Sequence, residues 1–207
     1  STQSDTYGGA IYNDGTITNL TSNFIGNYAN GQDVYGGAIY NTGTITNLNG
    51  KFIENDAYSN VQFGYNAVGG AIANKSNGVI ENISGDFIRN KAHTSYTSNS
   101  SMTATGGAIY NEGAKIGTIN ANFIENESQR EAGAIYNSGY ASSNKGIGTI
   151  SGNFIKNKVT GEIARDTYGG AISNTGTIDS ITAANFINNT VNSANGRSGF
   201  GGAIYKD

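Results

Sequence analysis

The chain has 207 residues, including 31 Gly, 30 Asn and 24 Ile but only 2 Leu, and it lacks Pro, Cys and Trp. Zero Cys excludes disulfide scaffolds, thiol chemistry and Cys-based zinc sites. A net charge of −3 with a pI near 5.1 leaves no electrostatic footprint for nucleic acid or anionic lipid, and no run approaches the ~18 apolar residues of a membrane-spanning helix.

Read from its start, the chain is one unit repeated. Gly8-Gly9-Ala10-Ile11 opens the first unit, and the tetrapeptide returns at Gly36, Gly69, Gly106, Gly169 and Gly201, with a variant copy at Ala132. Asn stands two residues after Ile in six of the seven copies, at Asn13, Asn41, Asn74, Asn111, Asn137 and Asn174. An apolar pair three residues apart follows, Ile17 and Leu20 in the first unit. Then comes Phe-Ile-x-Asn, beginning at Phe24, Phe52, Phe87, Phe123, Phe154 and Phe186. Spacings between successive Gly-Gly positions are 28, 33, 37, 26, 37 and 32. Coiled coils and helical repeats need a nearly constant period. A solenoid with fixed strands and free loops does not. In the last unit Ala183-Ala184 reads as a one-residue insertion.

Each unit offers three short β-segments, around Ala10–Asn13, Thr16–Leu20 and Ser22–Tyr28 in the first. The Ile excess over Leu suits a pleated sheet. One unit cannot bury its apolar face, so the units must stack at the strand spacing of ~4.8 Å. The expected fold is all-β: a single-stranded, right-handed parallel β-helix of about six three-strand coils. It would be one domain over 1–207, a rod ~30 Å long without terminal caps.

Alternation assigns the faces. Leu20, Ser22 and Phe24 share one side, and their columns read large, small, large down the units. That is an interior. The residue between Phe-Ile and Asn is Gly26, Glu54, Arg89, Glu125, Lys156 or Asn188 and must be exposed. A corner at Phe-Ile satisfies both, with Asn27 and its equivalents turned inward. Stacked Asn side chains can then hydrogen-bond along the column. A second bend is expected near Thr18-Asn19.

Tandem Gly-Gly-Ala-Ile alternating with Phe-x-x-Asn resembles the repeat of the chlamydial polymorphic outer membrane proteins, and similar repeats occur in other bacterial autotransporter passengers. The resemblance spans Gly8 to Tyr205. It implies an exported β-helix passenger held at the bacterial cell surface by an outer-membrane β-barrel, with roles in adhesion to host cells. No secretion leader is read at Ser1 and no barrel pattern anywhere, so the chain reads as part of a longer passenger.

No constellation reads as catalytic, and no metal or other cofactor is expected. Glu54, Arg89, Glu125 and Lys156 alternate in sign down one exposed column, as ion-pair support for the stack. Glu125, Glu127 and Glu131 cluster with Arg130 in the shortest loop. The only His, His93, lies in the longest loop without a local acid and reads as solvated. Tyr12, Tyr40, Tyr110 and Tyr136 form a column interrupted by Ala73 and Ser173. Alternation places it outside, either as an aromatic platform for sugars or a protein or as a ladder that only steadies the stack. Variable loops occupy 56–68, 91–105, 158–168 and 190–200 and should share one edge, while 138–145 leaves another corner. Loops on a rigid scaffold are where binding sits. The loop candidates are Tyr58, Tyr65, Tyr96, His93 and Arg165.

The reading is a cell-surface or secreted scaffold and adhesin that is not an enzyme. Its partner would be a host-cell surface protein or glycan, with no nucleic acid and no membrane insertion of this segment. Self-association through stack ends or edges is the alternative, and a polysaccharide lyase or hydrolase comes third.

Overall fold

The computed structural model describes residues 4–61, 65–95, 103–139, 145–162, 165–194 and 196–207. They contain strands and no helix. Like strands of successive coils pair in parallel, giving four sheets that run the length of a β-solenoid. Sheet 1 follows the Gly-Gly pair and runs from Ile11–Asn13 through Ile39–Asn41, Ile72–Lys75, Ile109–Glu112, Ile135–Ser138 and Ile172–Asn174 to Ile204–Lys206. Sheet 2 holds the long strands Thr44–Ile53, Val79–Ile88, Lys115–Ile124, Gly146–Ile155 and Ile178–Ile187, preceded by Thr16–Thr21 with Phe24–Ile25. Sheet 3 begins with Tyr28–Gly31, Asp56–Ser59 and Lys91–Thr94 and continues through Glu127–Ser128, Lys158–Val159 and Thr190–Val191. Sheet 4 comprises Thr6–Tyr7, Val34–Tyr35, Asn66–Val68, Thr103–Thr105, Thr167–Tyr168 and Gly199–Phe200, with Glu131 bridging Thr105 to Tyr168.

The parallel solenoid matches expectation, but the coil is built differently. The second and third expected segments merge into the single long strand of sheet 2. The stretches read as loops begin with a sheet 3 strand and end with a sheet 4 strand. The bend foreseen near Thr18-Asn19 survives as a gap in pairing: register passes from Ile80–Ile116 to Asn82–Thr118 and skips Glu81 and Gly117. That skip lets two residues three apart, such as Ile80 and Ile83, both point inward.

The interior is one continuous stack. Phe24, Phe52, Phe87, Phe123, Phe154 and Phe186 lie face to face with ring centroids 4.6 to 4.9 Å apart. Columns of Ile from sheets 1 and 2 close around them. A fully buried Phe or Ile contributes about 1.5–3 kcal/mol, so each coil is held mainly by its neighbours.

Two corners carry the special backbone. The residue between Phe-Ile and Asn is left-handed in every coil, with φ from 51° to 64° at Gly26, Glu54, Arg89, Glu125, Lys156 and Asn188. The turn swings the charge outward and the next residue, Asn, inward. Asn27, Asn55, Asn90, Asn126, Asn157 and Asn189 are then linked by Nδ2–H···Oδ1 bonds of 2.7 to 3.0 Å. A second ladder joins Asn13, Asn41, Asn74, Asn111, Asn137 and Asn174 at 2.7 to 2.8 Å. Both Asn columns are therefore structural. The Ala183-Ala184 insertion is a β-bulge, with Ala183 at φ 49° and the register shifted between Ile150 and Gly152.

The second glycine of each pair permits close packing across the coil. A Cβ at Gly70 would lie 2.1 Å from the Gly107 carbonyl oxygen and 2.6 Å from two backbone atoms of Lys91 in sheet 3. Sheet 3 thus rests directly on the glycine corner. Between sheets 3 and 4 lies a small second interior built from Ala29, Ala57 and Val34, with Ala67, Ala92 and Ala104 buried at matching positions.

Candidate functional site

The Tyr column does not face open solvent. Sheets 1 and 4 meet at a crease, and the column lies inside it. Tyr40 and Tyr110 are each only 8% exposed. The expectation of an outside column is corrected here. Alternation did turn Tyr away from the Phe stack, but the short strands of sheet 4 cover that side. The opposing column in sheet 4 runs Tyr7, Tyr35, Val68, Thr105, Glu131, Tyr168, Phe200. Tyr35 lies 5.8 Å from Tyr40 and 5.3 Å from Tyr7, ring centre to ring centre. Tyr110 and Tyr136 stack at 5.0 Å and 9°. The end coils leave rings open, with Tyr12 53% exposed at one end and Phe200 43% at the other. Burial drives the hydroxyl pKa of Tyr35 and Tyr110 well above the ordinary tyrosine range, with Asp33 and Glu112 adding to the rise respectively.

The column is interrupted twice, and the interruptions differ. Ala73 stands between Tyr40 and Tyr110 in register. There Lys75, two residues on, fills the missing rung. Its Nζ sits 4.4 Å from the Tyr35 ring centre, 5.7 Å from that of Tyr110, and 2.9 Å from Glu112 Oε2. Ser173 stands between Tyr136 and Tyr205. The residue two places on is Thr175, too short to reach across. Here the surface carries a depression of about 390 Å³ lined by Glu112, Gly113, Tyr136, Ser138, Gly139 and Thr175. The Tyr136 hydroxyl lies beside those of Ser138 and Thr175, and burial pushes its pKa upward.

The remaining expected residues separate. Tyr58 and His93 come together on the outer face of sheet 3, with rings stacked at 4.5 Å. His93 Nδ1 is 3.0 Å from Asp56 Oδ1 of the preceding coil, and both atoms are buried. His93 is therefore a half-buried strand residue with an acid beside it, not a solvated loop residue. That acid is a whole coil earlier in sequence, so only the stacking register reveals it. Tyr65 stands just ahead of sheet 4 in the connection from sheet 3, half-buried. Tyr96 lies outside the described residues. Arg165 lies near Arg130 and Glu131, and burial followed by the like charge of Arg130 lowers its pKa.

The acidic group read as one cluster is dispersed. Glu125 is at the exposed corner, 3.9 Å from Lys156. Glu127 bridges Lys91 at 3.0 Å and Lys158 at 2.8 Å. Glu131 is buried in the crease, 2.7 Å from Arg130 Nη1, and burial raises its pKa despite that partner. The alternating column is paired as expected, with Arg89 2.8 Å from Glu54. Among the described residues no group of three or more His, Cys, Asp or Glu is arranged to hold a metal ion.

The sheet 3 strands end, and the sheet 4 strands begin, along one edge; in sequence 60–65, 95–102, 160–166 and 192–198 connect sheet 3 to sheet 4, and 139–145 connects sheet 1 to sheet 2. Fold and surfaces together define a repeat β-solenoid with an aromatic crease along its side. The chain matches no protein-family model, no curated protein and no solved structure.

Proposed function

We propose that the chain is a scaffold segment of a bacterial cell-surface or secreted protein, a β-solenoid passenger that works in adhesion by non-covalent binding rather than by catalysis. The observation that carries this is the segregation of variation. Interior columns hardly change from coil to coil, whereas the connections between sheets 3 and 4 change in length and sequence, and the strand ends they link are aligned along one edge. A rigid frame with a variable edge is the arrangement by which binding loops are presented. The Ser, Asn, Tyr and Gly in these connections suit adaptable polar contact. The repeat also resembles that of the chlamydial polymorphic outer membrane proteins, which supports an outer-membrane surface location and a host-cell protein or glycan as partner.

The test is to shorten the connections. Gln129-Arg130 shows that sheets 3 and 4 can be joined by two residues. Replacing 95–102 and 160–166 with that short link should abolish binding to host cells or to a glycan panel while circular dichroism stays β-rich. Undiminished binding by the folded variant would remove the loop edge from the mechanism.

A further inference from the structure

Sheet 2 carries an apolar column on its outer side. The residue after each stacked Phe is Ile in every coil, at Ile25, Ile53, Ile88, Ile124, Ile155 and Ile187, all in register. Alternation turns these side chains away from the Phe stack, and none of them joins the interior cluster. The end members are 61% and 45% exposed, and those between are half-buried beside their neighbours. The other outward columns of sheet 2 mix Asn, Ser, Thr and charged residues, so a strand of this sheet does not need Ile at its surface. A continuous apolar ridge between polar columns is the kind of surface that marks an interface.

We propose that this face of sheet 2 binds a second copy of the chain, sheet 2 on sheet 2, about a two-fold axis that crosses the solenoid between its third and fourth coils. The axis lies in the interface and runs perpendicular to the solenoid. Every column then meets itself with the coil order reversed, so Ile ridge lies on Ile ridge. The corner column beside the ridge favours this arrangement. It reads Gly26, Glu54, Arg89, Glu125, Lys156, Asn188, and reversal sets each charge against its opposite. Glu54 meets Lys156 of the second copy, and Arg89 meets Glu125 of the second copy. The exposed pairs within the chain, Glu54 with Arg89 and Glu125 with Lys156, are kept. The interface therefore needs no unpaired charge; the alternation selects orientation and register. Sliding by one coil would set Glu54 on Glu125 and Arg89 on its own copy. In the adjoining column Lys51 meets Asn153 and Asp86 meets Asn122, so no like charges face each other there. Ten-residue strands in a six-rung sheet make a face of about 33 Å by 24 Å, close to the ~800 Å² per partner of a standard interface. An axis parallel to the solenoid would also bring ridge to ridge, but it would swing the rest of sheet 2 clear of its counterpart. The interface does not use the connections between sheets 3 and 4, so it stands or falls separately from adhesion through them.

Sedimentation velocity of the 207-residue chain from about 1 µM to 1 mM should show monomer passing to dimer and no larger species. The double variant Ile88→Thr/Ile124→Thr keeps β-branched residues and should weaken dimerisation at least about tenfold. Arg89→Glu and Glu125→Arg each set like charges across the axis and should each weaken it by a similar factor. An equal mixture of these two should dimerise as the parent does, because every facing pair is again opposite. The left-handed corner accepts both changes, since Glu and Arg already stand there in other coils. Circular dichroism melting establishes that the variants fold. A parent that stays monomeric, or that grows past the dimer, overturns the proposal, as does undiminished dimerisation by the folded Ile variant. Failure of the mixture to recover dimerisation overturns the two-fold arrangement.

Discussion

Single residues at the glycine corner show what the backbone demands and what it tolerates. The first glycine of each pair has φ between 64° and 75°, and in the variant copy Ala132 adopts 57°. A Cβ at Gly69 would stand 2.2 Å from the Ile72 carbonyl oxygen. Ala132 demonstrates that this corner can open enough to hold a methyl group. Gly69→Ala should therefore cost only about 1–2 kcal/mol, and Ala132→Gly should gain about 0.5–1 kcal/mol. The second glycine never varies among the seven copies. Gly70→Ala meets backbone of two strands and should cost clearly more than Gly69→Ala. Urea denaturation of the three variants ranks them, and equal losses at Gly69 and Gly70 would contradict the close approach of sheet 3. The glycines were legible as a turn or tight contact. Which glycine did which became legible only with the neighbouring strand in place.

At the scale of the strand, legibility followed the apolar signal. Sheet 2 carries three large inward residues per strand, and its columns could be read directly. Tyr28–Gly31, Asp56–Ser59 and Lys91–Thr94 each bury one Ala between polar neighbours, so they read as loop. Their order comes from the glycine corner beneath them and from pairing between coils. Charge adds to that pairing where Lys91, Glu127 and Lys158 sit in register. Burial alone would raise the Glu127 pKa, but hydrogen bonds and charge from Lys158 and Lys91 outweigh it and hold it below the usual range. A depressed folded pKa gives stability that is fully present above the unfolded value of about 4.3 and lost as pH falls through the lower, folded value. Glu127→Gln should thus lose up to about 1 kcal/mol at neutral pH. The gap between parent and variant should narrow progressively as pH falls below about 4.3 and through the depressed folded value. Denaturant titrations at neutral and acid pH check this, and an undiminished gap in acid would assign the loss to packing.

For the whole molecule, the governing fact is that every coil is held by the coils beside it. Removing residues 69–105 deletes one complete unit and joins Val68 to Gly106. The cut brings Tyr40 against Tyr110, Phe52 against Phe123 and Asn41 against Asn111, so the aromatic and amide columns close with their own kind, while loss of Arg89 and Lys91 sets Glu54 against Glu125 and Asp56 against Glu127. The shortened chain should fold as a β-rich monomer, whereas removing 69–86 should not, because it leaves half a coil unpaired. Stability should fall by about one interface between coils. Circular dichroism and urea titration distinguish the outcomes, and an unfolded 69–105 deletion would show that coils are not exchangeable units. The repeat made this architecture legible, but the crease between sheets 1 and 4 was hidden. Nothing in the spacing of Tyr40 or Tyr110 announces that sheet 4 lies over them. The same asparagine ladders also give the rod an electrical sense. In both rows each side-chain amide donates toward the later coil and accepts from the earlier one, so the amide dipoles align head to tail. In these two buried rows, hydrogens face the later neighbour and oxygens the earlier one, while the exposed rows through Asn47 and Asn153 donate the other way. A coil turned over would set like against like in both buried ladders, so they fix the sense in which coils are added.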